Sequence, residues 1–468
     1  MNKVDELISF WAQLKPNGLA FADESHEITF RQLDSLTRKI GFLLREKGIK
    51  RGEVVCLILP GYLGWLISLT LSRLGVATLV QNNLDPFSPE LIPEWVITLE
   101  PHSDVGANQT IIVNEDYLAT MNASKELETF EGFANPTDVA SFYSTSGTNG
   151  EAKYRANSAE YIWKAALRVH PSNAFGDDGV FILLPFGSTW TNVHFAMCLI
   201  LGKTYYNCMF DDERLVKFVN KYPIRTLLGS PVQVSAFFDI QKQRATKLPL
   251  LKTIVMGGSP PSEQLVQKIK SQLDCRIFDA YCSTEAGFAA FTALGEGASE
   301  GAIINPPVEL QIVDDHDNPL PAMSVGHIRY RREDMALTYY KNPAATAESF
   351  KNGYFYPGDL GFINHAGRLL LEGRSTEVIN LGGVKVNPER IEAIALTHLG
   401  VLDCAAFGHV SGSGIEELCI ALVVDTEFNQ SNFETAMAAK SPYSIYKSQI
   451  VPSIPRTETG KIQRNLLA

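Results

Sequence analysis

The sequence lacks paired cysteines, an excess of basic residues and a serine nucleophile motif. Its seven cysteines are scattered, with no Cys-x-x-Cys pair, which is typical of a reduced intracellular protein rather than of a disulfide or zinc framework. Acidic residues outnumber basic ones by 52 to 41, and the net charge of -11 argues against non-specific binding to nucleic acid, which needs a basic surface. No Gly-x-Ser-x-Gly sequence occurs, which disfavours a serine hydrolase.

A signal peptide and a long hydrophobic run are also missing. The acidic residues Asp5 and Glu6 stand where a signal peptide has basic residues followed by an apolar run. The most hydrophobic stretch, residues 62–80, is interrupted by Arg73 and Gly75, so a buried helix followed by a strand is favoured over a membrane span. We therefore expect a soluble, cytoplasmic protein.

Helix and strand patterns alternate along most of the chain. Thr29 can cap a helix with one apolar face, and residues 54–59 follow as a continuous apolar run. Such runs suit parallel sheets that are buried on both faces, and they recur at residues 180–184, 226–228 and 253–256. The pattern predicts an α/β fold, with a large multi-layer N-terminal domain of mostly parallel sheets.

The pattern changes in the second half of the chain. Alternating segments at 308–313 and 327–330 predict a small antiparallel section. After Arg374 the chain has its own signals, with strands at 405–407 and 419–424 and a helix from Pro388 to about His398. We predict a large domain at residues 1–374 and a small, mobile α+β domain at residues 375–468.

A loop at residues 144–153 has the composition of a phosphate-binding loop. Its sequence, Ser-Thr-Ser-Gly-Thr-Asn-Gly-Glu-Ala-Lys, lets backbone N–H groups approach phosphate oxygens, while Lys153 supplies charge. It is not a Walker loop, because Lys153 is followed by Tyr154 rather than by Ser or Thr. Taken alone, the loop is equally compatible with a flexible connection.

Three further segments carry groups that suit a nucleotide. Residues 281–285, Tyr-Cys-Ser-Thr-Glu, offer a ring for a base, hydroxyls for phosphate and a carboxylate for Mg²⁺. Asp359 follows a turn and can accept both ribose hydroxyls, and Arg374 can donate to the same sugar. Lys461 lies on a short turn near the C-terminus. In isolation each of these is as compatible with an ordinary surface residue.

In this order and at these separations, the segments resemble the adenylate-forming (AMP-binding) superfamily of acyl-CoA synthetases, nonribosomal-peptide adenylation domains and luciferases. The resemblance covers about residues 20 to 468. Residues 144–153 resemble its phosphate-binding loop, 281–285 its Tyr-Gly-x-Thr-Glu motif and 358–359 its ribose-binding Gly-Asp. Residues 373–392 resemble the segment that joins the two domains, and residues 455–464 match the catalytic-lysine motif closely.

The resemblance implies roles for individual residues. The catalytic residues would be Lys461, Thr284 and Glu285, with Glu285 also binding the metal. The ATP site would contain Thr145, Ser146, Gly147, Thr148, Asn149, Gly150, Lys153, Gly258, Ser259, Asp279, Tyr281, Asp359 and Arg374. The acid pocket would contain Ser188, Trp190, His194, Gly257, Ala286 and Gly287. The channel for the thiol would contain Gly383, Val384 and Lys385.

The sequence also departs from the family pattern. Outside the hinge, four residues differ from those usual in the family: Asn149, Ala152, Cys282 and Pro357. None of these differences removes a charged catalytic group. Thr376 stands at the hinge, where the family favours Asp or Lys, and this puts the control of domain rotation in doubt. Gly187 replaces the Asp that binds the ammonium group in amino-acid-activating members, which argues against an α-amino acid substrate.

The resemblance implies an AMP-forming acid–thiol ligase that uses ATP and Mg²⁺. A carboxylate would attack the α-phosphorus to give an acyl-adenylate, and a thiol would then displace AMP. Free coenzyme A is the first choice of acceptor, and the phosphopantetheine of an acyl carrier protein is the alternative. A non-enzymatic nucleotide sensor on the same fold is a further alternative. Small residues at the pocket positions suit an aryl or fatty acid.

We predict that Lys461→Ala abolishes adenylate formation and leaves thermal stability nearly unchanged, because the residue lies on a turn away from any predicted core. Removing a cation that acts in the transition state costs about 3–4 kcal/mol, or roughly 10²–10³ in rate. Thioester formation from pre-made acyl-adenylate should survive, because the lysine has then left the site. Single-turnover rates of the two half-reactions test this, and an equal loss in both would refute the role.

Overall fold

The computed structural model describes residues 3–81, 87–101, 109–146, 152–169, 180–208, 212–243, 248, 250–295, 300–333, 335, 337–375, 377–381, 384–410, 416–441, 447–456 and 462–467. Within these ranges the helices are α1 Lys3–Leu14, α2 Phe30–Glu46, α3 Gly61–Leu74, α4 Glu115–Ala123, α5 Tyr161–Val169, α6 Thr189–Leu201, α7 Asp212–Lys221, α8 Pro231–Gln243, α9 Glu263–Lys270, α10 Pro343–Ser349, α11 Pro388–Ala395 and α12 Gln430–Lys440. A short 3₁₀ helix follows at Arg464–Leu466.

Two large sheets form the centre of the N-terminal part. In the described ranges the first has nine strands, in the order β15-β14-β13-β12-β11-β9-β10-β1-β2. Its strands are β1 Leu19–Ala22, β2 Glu27–Thr29, β9 Val180–Ile182, β10 Tyr205–Asn207, β11 Thr226–Gly229, β12 Thr253–Gly257, β13 Arg276–Ser283, β14 Gly287–Leu294 and β15 Ile303–Ile304. The six neighbouring strands β13, β12, β11, β9, β10 and β1 pair in parallel. The strands at the two ends of the sheet, β14 and β15 on one side and β2 on the other, pair antiparallel.

The second sheet has the order β6-β5-β3-β4-β7-β8. Its strands are β3 Val54–Ile58, β4 Ala77–Val80, β5 Trp95–Thr98, β6 Gln109–Ile112, β7 Val139–Ser146 and β8 Ala152–Ser158. All pairs are parallel except β7 with β8. Each apolar run expected from the sequence therefore coincides with a strand. The segment predicted as a phosphate-binding loop at 144–153 begins within a strand, because antiparallel pairing with β8 extends β7 to Ser146.

The third sheet is the predicted antiparallel section. Its strands are β16 Glu309–Val313, β17 Gly326–Arg331, β18 Phe350–Lys351, β19 Tyr354–Phe355, β20 Asp359–Ile363 and β21 Leu369–Arg374. Its strand pairs are all antiparallel. The pairing of β20 with β21 places Asp359 directly opposite Arg374.

A small C-terminal domain follows, and it has a core of its own. Its strands are β22 Ile379–Leu381, β23 Val384–Val386, β24 Val401–Val410, β25 Glu416–Val424 and β26 Lys447–Ile450. Two clusters of buried residues consist entirely of side chains from residue 379 onward. The expected strand at 405–407 is the centre of a much longer strand, and the helix from Pro388 ends at Ala395 rather than near His398. The boundary at residue 374 stays a prediction.

Local signals explain how the first helices form. Thr29 caps α2 with a capping box: its hydroxyl oxygen accepts from the Gln32 N–H at 3.2 Å, and the Gln32 side chain accepts from the Thr29 N–H at 2.9 Å. Residues 62–80 form most of α3 and then β4, as predicted. No helix in the described ranges is long and apolar enough to cross a membrane.

Arg73 ties the N-terminal helices together. Its guanidinium is fully buried and lies 2.5 Å from the Asp5 carboxylate on α1 and 2.8 Å from the Asp34 carboxylate on α2. A buried cation is stable when carboxylates compensate its charge, as they do here. The arginine that interrupts the hydrophobic stretch is therefore a structural residue.

Candidate active site

A cavity of about 500 Å³ lies where the nine-stranded sheet, helices α5 and α6 and the third sheet meet. One part of its wall is polar, and the side chains there include Lys153, Tyr281, Glu285, Asp359 and Arg374. Another part is mostly apolar, with Ala165 from α5, Trp190 and Val193 from α6, and Phe278, Phe288 and Phe291 from β13 and β14. Segments that are far apart in the chain thus share one cavity.

Asp359 is the centre of a group of polar side chains at the junction of two sheets. The Tyr281 hydroxyl donates to Asp359 Oδ2 at 2.5 Å, and Arg374 Nε lies 3.3 Å from Asp359 Oδ1. Burial, and then the negative charge of Asp359, raise the pKa of Tyr281 well above its usual value, so the phenol stays a donor. Gly358 has φ +81°, a backbone conformation that glycine adopts without strain and that turns the chain into β20.

Glu285 lies at the tip of the hairpin that joins β13 and β14. Residues 284–286 form the turn, and Ser283 pairs with Gly287 across it. The Ser283 hydroxyl accepts from the Ala286 N–H at 3.0 Å and lies 2.9 Å from the Tyr330 hydroxyl. The Tyr339 hydroxyl donates to Glu285 Oε1 at 2.8 Å. The carboxylate is therefore held in the cavity wall by an aromatic residue from a different segment.

Lys153 brings the positive charge of the phosphate-loop motif into the cavity. It lies on β8, and its ammonium is 3.8 Å from a Glu348 oxygen and 5.4 Å from the centre of the Tyr339 ring. The Glu348 side chain is 75% exposed, so this ion pair is screened by water and easily replaced. An anion in the cavity can compete for the ammonium.

Two helices supply the wall of the mostly apolar part. The Ser188 hydroxyl caps α6 by accepting from the Thr191 N–H at 3.1 Å, which directs Trp190 and His194 of the first two turns at the cavity. His194 Nδ1 lies 2.7 Å from the Trp190 carbonyl. Burial lowers the pKa of His194 to about 4, so the imidazole is neutral at physiological pH and suits an uncharged part of a ligand.

Gly257 is required by the close approach of Trp190. A Cβ atom at this position would lie 2.7 Å from the indole ring and 3.0 Å from the Ala280 carbonyl oxygen. Both distances are shorter than ordinary van der Waals contact, and the second partner is backbone that cannot move freely. The residue at position 257 thus sets how closely the indole approaches the end of β12.

The structure brings together many of the residues predicted for the site. Those whose side chains or backbone line the cavity are Lys153, Ser188, Trp190, His194, Gly257, Gly258, Tyr281, Thr284, Glu285, Gly287, Asp359 and Arg374. Three others do not line it. Ala286 is fully buried in a neighbouring hydrophobic cluster, because the hairpin turn directs it away, while Ser259 and Asp279 lie outside the cavity wall.

The remaining predicted residues lie wholly or partly outside the described residues. Those with neither backbone nor side chain described are Gly147, Thr148, Asn149, Gly150, Gly383 and Lys461. For four more, only the backbone is described: Thr145, Ser146, Val384 and Lys385. Their assignments stay predictions.

Sequence reasoning missed several residues of the site. Tyr339 contacts Glu285 from 54 positions later in the chain, and Arg155, next to the phosphate loop, donates to the Thr284 carbonyl oxygen. Neither belongs to a motif. A tyrosine and a buried arginine near polar segments are too common in sequences to indicate these contacts.

Asp279 is a buried carboxyl group whose ionisation is affected by the C-terminal domain. Burial raises its pKa to about 7, with a further contribution from the charge of Glu389 in the first turn of α11. Burial, followed by the charge of Glu392, also raises the pKa of Glu389 to about 7. The charge of Glu389 thus acts on Asp279 across the domain junction, and both carboxyl groups are protonated more readily than in water.

Arg464 connects the C-terminal motif to the segment that joins the domains. Its guanidinium bonds to Glu377, to Glu392 at 2.8 Å and to the Ala406 carbonyl oxygen at 2.9 Å. Glu377 is three residues from Arg374, at the predicted hinge. The end of the predicted catalytic-lysine motif is therefore fixed to the first residues of the small domain.

Comparison with known proteins places the chain among nucleotide-dependent ligases. Residues 89–340 match the family model described as AMP-binding enzyme. The chain is 24% identical to the 4-chlorobenzoate–CoA ligase of Arthrobacter sp, over 100% of this chain and 95% of that protein. It is 25% identical to a 2-succinylbenzoate–CoA ligase of Listeria monocytogenes, over 97% of each.

Solved structures show the same fold. An anthranilate CoA ligase in complex with anthranoyl-AMP superposes with a TM-score of 0.88 at 19% identity, covering 99% of this chain and 96% of that one. The o-succinylbenzoate coenzyme A synthetase of Bacillus subtilis, with ATP and magnesium ion, superposes with a TM-score of 0.84 at 18% identity, covering 98% of each. The predicted α/β fold with a small C-terminal domain is confirmed.

We expect Glu285→Gln to slow adenylate formation and to raise the Mg²⁺ concentration needed for half-maximal rate, because an amide is a poorer ligand than a carboxylate for a hard cation. A magnesium titration of pyrophosphate release measures this. Glu348→Gln is the matched control, since it also removes a carboxylate from the cavity wall and should leave the midpoint unchanged. Identical midpoints for wild type and Glu285→Gln would exclude the role.

The Asp279 carboxyl predicts a pH dependence of stability. Its folded pKa, about 7, lies above the value of an unfolded chain, so its contribution is greatest below the unfolded pKa and is lost as the pH rises through the folded value. The melting temperature of Asp279→Asn minus that of wild type should therefore be larger at pH 8 than at pH 5. Glu389→Gln should change in the same direction, and parallel pH curves for wild type and both variants would contradict the assignment.

Proposed function

This chain belongs to the AMP-binding enzyme family, and we propose that it is an AMP-forming ligase that joins a carboxylic acid to the thiol of coenzyme A. The observation that carries the proposal is the shared cavity, in which Asp359, Arg374, Glu285 and Lys153 adjoin a mostly apolar pocket. The polar part suits a ribose and phosphates, and the apolar part suits the body of an acid. An enzyme that activates acids needs both next to each other.

In the first step a carboxylate oxygen attacks the α-phosphorus of ATP. The bond from the α-phosphorus to the bridging oxygen breaks, pyrophosphate leaves, and an acyl-adenylate remains. Negative charge builds up on the phosphoryl oxygens and on the leaving group, so positioned cations lower the barrier most. We assign this role to Lys153 at the phosphates and to Lys461, which would bridge the carboxylate and the α-phosphate.

The residues present suit a magnesium ion and a ribose. Mg²⁺ binds through one or two carboxylates and phosphate oxygens. Glu285, whose carboxylate is held by Tyr339, would be the protein ligand. When bound, the ion neutralises phosphate charge. Asp359 accepts from Tyr281 and has further lone pairs for ribose hydroxyls, while Arg374 orients its carboxylate.

In the second step a thiolate attacks the carbonyl carbon of the acyl-adenylate, the bond to the AMP oxygen breaks, and a thioester forms. The small domain would rotate about residues 374–377 between the steps and bring residues 383–385 to the thiol. The bonds of Arg464 to Glu377 and Glu392 support motion of the C-terminal segment together with the domain.

An aryl or a fatty acid is the proposed substrate class. Trp190, Phe288 and Phe291 provide flat apolar walls, and the neutral His194 adds no charge there. The Arthrobacter and Listeria relatives are named for aryl acids. Both observations favour an aryl acid as the first to test.

Purified protein with ATP, Mg²⁺ and a panel of benzoate, hexanoate and succinate tests the proposal through pyrophosphate release. We expect release that depends on the acid, and a thioester detected by mass spectrometry when coenzyme A is added. Thioester formation on a holo carrier protein but not on coenzyme A would identify the alternative acceptor. ATP binding without pyrophosphate release for any acid of a wider panel would instead support a nucleotide sensor.

A further inference from the structure

Arg155 is a buried cation beside the cavity. It lies on β8, and only 1% of its surface is exposed. Its Nη1 donates to the Tyr161 hydroxyl oxygen at 3.1 Å and also to the Thr284 carbonyl oxygen. The guanidinium carbon lies 4.1 Å from the centre of the Tyr161 ring. The side chain is thus fixed between α5 and the tip of the β13–β14 hairpin.

The charge of Arg155 has no carboxylate to balance it in the described part of the chain. No ion pair forms there, and Nε and Nη2 are buried without a hydrogen-bond partner among the described residues. Arg73 shows the opposite case, with two carboxylates within 2.8 Å. A buried charge without compensation is costly, so an anion bound near Arg155 would relieve that cost.

Tyr161 connects this charge to the cavity. Its side chain lines the wall, and its ring packs in the same apolar cluster as Trp190, Phe278 and Phe288. Because its oxygen accepts from Arg155, its own proton is available to an acceptor inside the cavity. Donation from a cation also polarises the hydroxyl and makes it a stronger donor.

Gly287 lies in close contact with the Tyr161 hydroxyl and with a second guanidinium. A Cβ atom at this position would lie 3.3 Å from the Tyr161 hydroxyl oxygen and 2.8 Å from Arg332 Nη1. Arg332 Nη1 donates to the Phe288 carbonyl oxygen at 3.3 Å, so a second guanidinium also lies at this place. Gly287 follows Glu285 by two residues. The two guanidinium groups and the Tyr161 hydroxyl therefore meet between the hairpin tip and the apolar wall.

We propose that Tyr161 and Arg155 recognise a carboxylate of the acid substrate, with Tyr161 donating the hydrogen bond and Arg155 providing the buried charge behind it. The proposal rests on the proposed function and refines it. Tyr161 belongs to the apolar cluster that contains Trp190 and Phe288, whereas Tyr281, which holds Asp359, packs against a different cluster. This favours the acid over the ATP phosphates as the anion. The carboxylate is either the one that reacts or a second one on a dicarboxylic acid.

Kinetics of ATP–pyrophosphate exchange test the pair. With benzoate, hexanoate, succinate and terephthalate, Tyr161→Phe should raise the KM of the acid about tenfold to hundredfold, the range for a hydrogen bond to a charged group. The KM of ATP should stay within about twofold, since a donor to the acid adds no binding energy for ATP. Tyr205→Phe is the matched control, because it removes a buried hydroxyl in the core outside the cavity wall.

Arg155→Met and Arg155→Lys separate recognition from structure. Without ligand, Arg155→Met should melt no lower than wild type, because an apolar side chain replaces an uncompensated charge, yet it should raise the KM of the acid. Arg155→Lys should restore part of the affinity. An effect on all acids identifies the reacting carboxylate, and an effect confined to the dicarboxylic acids identifies a second one.

Several outcomes would overturn the proposal: an unchanged acid KM in Tyr161→Phe, an equal rise in the KM of ATP, or a lower melting temperature for Arg155→Met without any change in acid KM. Absence of exchange in the wild type would refute the proposed function instead. In that case the rise in melting temperature that each acid causes by itself tests the recognition of the acid. Loss of this thermal shift in Tyr161→Phe supports recognition by Tyr161. Retention of the shift in the variant, or no shift with any of the four acids, overturns it.

Discussion

The site depends on how the edge of a mainly parallel sheet meets a separate antiparallel sheet. Strand β13 ends at that edge, and hydrogen bonds from Tyr281 to Asp359 and between Ser283 and Tyr330 hold it against the third sheet. These two contacts place a hairpin tip, a carboxylate and an arginine on the same cavity. A change of one residue in the register of β13 or β20 would turn the side chains that now face the cavity away from it.

The polar groups of the cavity are mostly held in place before any ligand binds. Asp359 contacts Tyr281 and Arg374, and Glu285 contacts Tyr339. Donors and carboxylates that are already oriented need little reorganisation when charge develops on a phosphate. Unlike Lys153 and Arg374, which each lie near a carboxylate, Arg155 has no carboxylate partner within the described ranges. The charge of Arg155 thus lowers the stability of the free enzyme, whereas in the proposed role it strengthens ligand binding.

Polar contacts link the small domain to the large one in the described ranges: Gln264 donates to the Leu396 carbonyl oxygen, and Arg390 lies 3.8 Å from Glu372. The clusters of buried residues in the small domain are its own, while Asp279 and Glu389 repel each other between the domains as they ionise. Arg464 meanwhile binds Glu377 and Glu392 on the same side of the hinge. Such an arrangement keeps the small domain internally rigid and leaves its contact with the large domain easy to change, as a rotation requires.

The sequence by itself determined the local structure and the family. The Thr29 cap, the apolar runs and the order of the motifs are short-range signals, and they predicted the α/β layers, the antiparallel section and a separate C-terminal domain. Boundaries were less accurate, because pairing with a neighbour extends a strand: the strand predicted at 405–407 runs from Val401 to Val410. Such pairing depends on distant segments, which no local pattern records.

Only the tertiary structure decided which side chains meet. Tyr281 and Asp359 are 78 residues apart, Glu285 and Tyr339 are 54 apart, and Arg155 and Thr284 are 129 apart. Each contact depends on strand register and on the packing of one sheet against another. The sequence around either residue alone does not indicate such packing. Burial is equally non-local: Arg73 and Arg155 are both buried arginines, yet only the folded chain gives Arg73 its two carboxylates and leaves Arg155 beside the cavity.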